Sequence, residues 1–198
     1  MNRRLLAALA ALLLAACASP LPPAASAVYD LGPLPAGNAA ASALAPLALA
    51  TVGAPAALGG TEMIYRLAYA NDQQLHPYAN SRWSMAPPEL FGQRLRARLA
   101  ATGTVATNAA DTSRDLPLLR VELEDFSQDF SAPAASGARV TVRATLFAGR
   151  RPLAQHSVSR QAPAPSADAA GGARALAAAS DLAIDDLLQW LATAAPKK

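Results

Sequence analysis

Leu118-Leu119-Arg120-Val121-Glu122-Leu123-Glu124-Asp125-Phe126 and, beyond a short connection, Arg139-Val140-Thr141-Val142-Arg143-Ala144-Thr145-Leu146-Phe147 settle the fold class. In the first run Leu119, Val121 and Leu123 alternate with Arg120, Glu122 and Glu124. In the second, Val140, Val142, Ala144 and Leu146 alternate with Arg139, Thr141, Arg143 and Thr145. A period of two puts each apolar set on one face of a β-strand. If the two strands pair antiparallel, an acidic wet face meets an arginine one, an arrangement worth about 0.3 kcal/mol per opposed pair. Ala148-Gly149-Arg150-Arg151 then reads as a turn into a last strand, Leu153 to Arg160.

Downstream, Ala173, Leu176, Ala177, Ser180, Ile184, Leu187, Leu188 and Leu191 hold the helical period. Ser166 is the expected N-cap, with Gly171-Gly172 delaying the first turns. Upstream, Val28 to Leu31, Leu47 to Val52, Met63 to Tyr69 and Leu75 to Trp83 read as extended segments. Pro87-Pro88 opens a helix that runs to about Thr102, with Phe91, Leu95 and Leu99 on one stripe, Arg94, Arg96 and Arg98 mainly off it, and Gly103 as its stop. Segregated strands and helices predict an α+β domain, an antiparallel or mixed sheet with two helices packed on it. No internal repeat is visible.

The N-terminus carries an address. Arg3-Arg4 precedes an unbroken apolar run, Leu5 to Ala16, of 12 residues, too short for a spanning helix, which needs roughly 20. It fits the core of an export signal. The run ends Leu14-Ala15-Ala16-Cys17, which resembles the bacterial lipobox, with the Cys17 thiol as the lipidation nucleophile. Residues 1–16 are thus expected to be a lipoprotein signal peptide and 17–27 a lipidated Cys with a Pro/Ala-rich tether, leaving 28–195 as the domain. Ala18 rather than Asp after the Cys places the protein, by that likeness, at the outer membrane facing the periplasm. Ala39 to Leu58 is apolar largely through Ala and is interrupted by Pro46, Gly53 and Pro55, so a second membrane segment is rejected.

Composition mostly excludes. The 198 residues hold 17 Lys+Arg and 14 Asp+Glu, a net charge of +3 that falls to +1 without Arg3 and Arg4. Both lysines sit at the extreme C-terminus and the arginines are scattered, so nothing supplies the dense basic patch that nucleic acid requires. Ala accounts for 52 positions, which inflates the 53% hydrophobic content. A single Cys excludes an internal disulfide and a four-thiolate metal site.

Tyr65-Arg66, Leu75, Tyr78, Arg82-Trp83, Pro87-Pro88 and the Arg/Leu helix ending at Gly103 resemble the ABC-type transport auxiliary lipoprotein family, which includes the lipoprotein of Pqi-type intermembrane transport systems. The lipobox, the Tyr29-Asp30-Leu31 strand and the Ala-rich last helix follow in the same order, so the likeness spans Leu14 to about Leu191 and is tightest from Tyr65 to Pro88. It implies a non-catalytic, lipid-anchored protein without a cofactor. Such a protein works with ABC transporter subunits and a periplasmic mammalian-cell-entry (MCE) domain protein that moves lipids between two membranes, and it is expected to bind that partner or assemble with itself.

Tyr65, Tyr78, Arg82 and Trp83 are the candidate partner interface, because an aromatic flanked by Arg can bury a large area against another protein. The competing reading, and the better one for the dipeptide, packs Trp83 under the following helix with Arg82 capping or pairing locally, and leaves Tyr65 and Tyr78 as half-buried sheet residues with exposed hydroxyls. Trp190 reads as the edge of a helix core. His76 and His156 lie eighty positions apart in no ligand spacing, so no metal site is expected. No nucleophile elbow or phosphate-binding glycine loop is present, so no catalytic residue is assigned. Glu122, Glu124, Asp125 and Asp129 are the sole candidates for acid–base work, as against a solvated strand face, and Asp181, Asp185 and Asp186 read as the wet side of the last helix. Two other functions stand beside the transport auxiliary: a periplasmic carrier that holds acyl chains between helix and sheet, and an envelope hydrolase using the Glu122 to Asp129 acids.

Overall fold

Residues 26–35, 44–110 and 116–194 are described by the computed structural model of this chain. The lipobox Leu14-Ala15-Ala16-Cys17 and nearly all of the tether lie outside them. In chain order the elements are β1 (Ala27–Tyr29), β2 (Leu47–Leu49), a 3-10 turn (Ala56–Leu58), β3 (Glu62–Leu67), β4 (Asn71–Trp83), α1 (Pro87–Ala101), β5 (Ala106–Asn108), β6 (Leu118–Ala132), β7 (Ala135–Ala148), β8 (Arg151–Pro163) and α2 (Ala169–Ala194).

The two alternating runs that set the expectation form the spine. β6 and β7 pair antiparallel from Leu118↔Phe147 to Ala132↔Ala135, and β8 pairs antiparallel with β7. Glu122 lies directly opposite Arg143, so the acid-against-arginine prediction holds at that position. A two-residue turn with Gly149 at φ +59° joins β7 to β8, a conformation only glycine adopts freely. The other edge of β6 is shared by two strands laid parallel to it: β2 against its first half, where Ala48 opposes Leu118, and β3 against its second, where Tyr65 opposes Gln128. Backbone bonds from Ala50 to Leu119 (2.9 Å) and from Gly53 to Val121 (2.9 Å) fill the gap between them. β5 extends the sheet beyond β2 in parallel, β4 extends it beyond β3 antiparallel, and β1 joins the end of β4 in parallel. Among the described residues, eight strands and two α-helices thus give the mixed-sheet α+β architecture that periodicity predicted.

Both helices cover one face. Leu119, Val121 and Leu123 from β6, Val140 and Val142 from β7, Phe91, Leu95 and Leu99 from α1, and Leu176, Ile184 and Leu187 from α2 are all essentially fully buried together. Gly103, at φ +78°, ends the first helix as expected. The cap of the second differs from expectation. Asp168, not Ser166, supplies it, accepting the Gly171 N–H at 2.7 Å while the Ser166 hydroxyl braces the same carboxylate at 2.8 Å. A carboxylate at a helix start satisfies an otherwise orphan amide and meets the positive end of the helix dipole. The Gly171 N–H, followed by the Ser166 hydroxyl, holds the Asp168 carboxyl below its ordinary pKa.

The helix faces also need correction. Arg94 and Arg98 are only 6% and 5% exposed and point at α2 instead of solvent. Arg94 bonds Asp181 at 2.7 and 2.6 Å and donates to the carbonyls of Leu31 (2.9 Å) and Gly32 (3.1 Å), while Arg98 pairs with Asp185. Asp186 pairs with Arg160 of β8 at 2.5 Å. The three aspartates therefore fasten α2 to its neighbours. β5 and the 3-10 turn were not expected, and β4 begins at Asn71, four residues earlier than read. Among the described residues no helix is long and apolar enough to cross a membrane.

Candidate functional site

The β3–β4 hairpin brings two of the four interface candidates together. Tyr65 and Tyr78 face the helix side of the sheet with ring centroids 4.7 Å apart. Tyr65 also stacks on His76 (5.2 Å, interplanar angle 21°) and meets the edge of Phe130 (5.7 Å, 71°). Tyr65, His76 and Tyr78 are half-buried and Phe130 is nearly closed off, so the cluster presents aromatic faces at the surface on a buried floor. Offset and edge contacts of this kind pre-order the rings, which lowers the entropy cost of meeting a partner.

Beneath the rings lies a polar network that sequence reading missed. The Tyr78 hydroxyl donates to Gln128 Oε1 at 2.9 Å instead of facing water. Gln128, 1% exposed, passes its own amide to the Ser136 hydroxyl (2.8 Å) and to the Asp168 carbonyl (3.2 Å). A Cβ on Gly172 would fall 2.0 Å from Gln128 Oε1, so this glycine is what lets the first turn of α2 close over the amide. The only sequence signal was Gly171-Gly172, which reads locally as helix fraying and in the fold as close approach. Burial, then the neighbouring Tyr65 and Asp168, push Tyr78 up to about 12.

That shift has a sign. The tyrosine is neutral in the folded chain to a higher pH than in the unfolded one, so its contribution is intact below the unfolded value near 10 and drains away as pH rises toward about 12. Denaturation of the wild type is expected to become steeply easier between pH 10 and pH 12. Tyr78→Phe should flatten that dependence, and a set of urea melts across the range checks it.

The other two candidates separate. Trp83 is 1% exposed, packed edge-on against Phe126 at 5.4 Å, and so serves the core; it cannot touch a partner from there. Burial of the large indole wins over display because its strand turns it into the core cluster, against Phe126. Arg82 is exposed, opposite Glu62 in the ladder, and its guanidinium forms no ion pair among the described residues, contrary to the local pairing expected of it.

The acids of β6 are bound by arginines. Arg143 takes Glu122 (2.7 Å) and Glu124 (2.9 Å), Arg66 takes Asp125 (3.1 Å) and Asp129 (3.5 Å), and Arg139 takes Asp129 (2.7 Å). The Ser127 hydroxyl sits between Asp125 and Asp129 at 2.9 and 3.2 Å. Each carboxylate is thus taken up in an ion pair with an arginine, the cross-strand role that the alternation of β6 and β7 provides. His156 stacks on Trp190 at 5.6 Å, far from His76 in the fold. Among the described residues no group of three His, Cys, Asp or Glu could hold a metal. A groove of about 620 Å³ runs between the Val28–Pro35 segment and α2, lined in part by the fully engaged Arg94; side chains of both helices and of the sheet share one buried core.

The model of a family described as the ABC-type transport auxiliary lipoprotein component matches residues 29–187. The fold is similar to that of a Xanthomonas campestris protein of the DUF330 family, known from a crystal structure, at 17% identity and a TM-score of 0.74, the match covering 85% of this chain and 96% of that one. A crystal structure of an uncharacterized protein is similar at 13% identity and a TM-score of 0.65, covering 84% and 99%. At such identities the likeness concerns the fold alone. Curated proteins give no match.

Proposed function

The chain belongs to the ABC-type transport auxiliary lipoprotein family, and from that premise we propose that it is a non-catalytic docking component of an intermembrane lipid transport system of the Pqi type. In this reading Cys17 carries the acyl anchor, residues 17–27 are the tether, and the domain stands at the outer membrane facing the periplasm. Two or more acyl chains at about 0.8 kcal/mol per buried methylene hold such a domain durably at a bilayer. ATP hydrolysis belongs to other subunits, and the protein's part is to bind the MCE-domain partner.

The observation that carries the proposal is the pre-ordered aromatic cluster of Tyr65, His76 and Tyr78 within the matched region, half-exposed on an otherwise closed core. Exposed tyrosines on a rigid support are the residue type that concentrates binding energy. The arginine-bound acids count against the hydrolase alternative, and the single core cluster shared by both helices and the sheet counts against the acyl carrier.

Wild-type and Cys17→Ser chains, extracted from membranes and compared, test the proposal. The wild type is expected in the outer-membrane fraction with a lipid mass on Cys17 and an MCE-type protein bound, and Cys17→Ser outside that fraction and without the lipid mass. Tyr65→Ala should weaken partner binding about tenfold or more, an effect of about 1.4 kcal/mol or above. An unmodified sulfur, or a clean monomer that retains no partner, sinks the proposal.

A further inference from the structure

Three turns meet at one end of the sheet. The β3–β4 turn follows Leu67, which opposes both Phe130 and Asn71; the β6–β7 turn lies between Ala132 and Ala135; and the link from β8 to α2 begins at Pro163, opposite Gly137. Bonds from Tyr69 N to the Phe130 carbonyl (3.3 Å) and from Ala164 N to the Ser136 carbonyl (3.0 Å) join the three. Their sequences, Ala68-Tyr69-Ala70, Ser131-Ala132-Pro133-Ala134-Ala135 and Pro163-Ala164-Pro165-Ser166-Ala167, contain no charged residue. The charges lie at the margin: exposed Asp168 at the helix start, its carboxylate accepting the Gly171 N–H and the Ser166 hydroxyl; exposed Arg174, which donates to Ser166 at 3.3 Å; and exposed Asp72 at the start of β4. Tyr69 is 49% exposed, and Leu75 of β4 41%. The opposite end, where β7 turns into β8, carries Arg150 and Arg151.

The direction of β1 says which end the tether serves. β1 runs parallel to Ser81–Trp83 of β4, so its first residue, Ala27, lies at the end of β1 nearer the β3–β4 turn. That turn lies five residues along β3 from Glu62, which opposes Arg82, a distance of about 17 Å at 3.3 Å per residue. Ten steps separate Cys17 from Ala27, and an extended chain of that length spans up to about 33 Å. The lipid anchor therefore reaches past this end with chain to spare.

We propose that this end, built from three charge-free turns with Tyr69 exposed among them and charges only at its margin, is the face of the domain that rests on the bilayer surface. Alanine and proline present little polar area to desolvate, and a half-exposed tyrosine suits the headgroup boundary, with its ring toward the chains and its hydroxyl toward water. The orientation stands the sheet upright on the membrane and turns the Arg150-Arg151 end toward the interior of the compartment. It rests on the lipidated Cys17 proposed above.

The test uses the full lipidated chain in vesicles of phosphatidylethanolamine and phosphatidylglycerol. Acylation occupies the only native thiol, so Tyr69→Cys, Ala134→Cys and Arg150→Cys can each carry one environment-sensitive fluorophore. Quenching by spin-labelled lipid is expected to be roughly threefold or more stronger at positions 69 and 134 than at position 150. Equal quenching at all three, or stronger quenching at position 150 as contact of the basic end with anionic headgroups would give, overturns the orientation. A chain that floats with the vesicles and shows that result retains the anchor reading; a chain that does not float and has an unmodified sulfur loses both.

Discussion

Trp83→Ala is expected to destabilise the domain by about 4 kcal/mol and to lower its melting temperature by roughly 8–16 °C, the largest effect of any single substitution considered. The indole is 1% exposed, sits edge-on to Phe126, and is held in place by a 2.7 Å bond from its own backbone N–H to Thr61. Truncation removes the apolar area and leaves a cavity that the neighbouring sheet and helix, each anchored elsewhere, cannot close. Trp83→Phe retains most of that volume and should cost a fraction as much. Calorimetry of both variants, read beside partner binding, separates core from interface: a Trp83→Phe protein that melts near the wild type and binds its partner fully supports the core role, whereas a stable fold with lost binding returns the indole to the interface.

Arg94→Met should cost about 3 kcal/mol, or roughly 6–12 °C in melting temperature. The penalty comes less from the attraction lost than from what stays behind. Asp181, at 15% side-chain exposure, would lose the one charged partner it has among the described residues, and the carbonyls of Leu31 and Gly32 would lose a donor. The change should also release the Leu31–Pro33 segment from α1, since Arg94 ties that segment to both helices. Amide exchange across residues 28–35 is the specific readout, and a double replacement, Arg94→Met with Asp181→Leu, should recover much of the loss. Failure of the double variant to recover would show that the carbonyl bonds dominate.

These two residues also mark where sequence reading stops. The β6, β7 and β8 strands and the last helix were legible because their signals are local: a period of two or of 3.6 survives without knowledge of partners. The opposition of Glu122 to Arg143 followed from that alternation. The Arg94–Asp181 and Arg98–Asp185 pairs did not, since 87 residues separate each pair. A signal existed nonetheless. Arg94 and Arg98, and likewise Asp181 and Asp185, repeat at four residues, a spacing that places two like charges on one helical stripe and asks for an opposite stripe nearby. Of the four interface candidates, the aromatic alternation in Met63 to Tyr69 located Tyr65, whereas the fate of Trp83 depended on which side of a bulged β4 faced α1. The register of β4 shifts twice against β3, and no local pattern records that. The Gln128 network was invisible for the same reason: a glutamine on a strand names no partner until the helix start arrives above it.

Because β2 and β3 both lie along β6, the β3–β4 hairpin and the β2–β5 pair have no common sheet to join until residues 118–132 exist. The pairing of Ala48 with Leu118 closes a span of seventy residues, an ordering cost that the N-terminal portion cannot recover from its own contacts. The β6–β7–β8 meander, by contrast, closes through two short turns and needs little chain entropy to form. Maturation of this molecule accordingly runs against the direction of its synthesis: the portion made first waits unassembled for a template made later, and is the portion that most depends on protection in the interval.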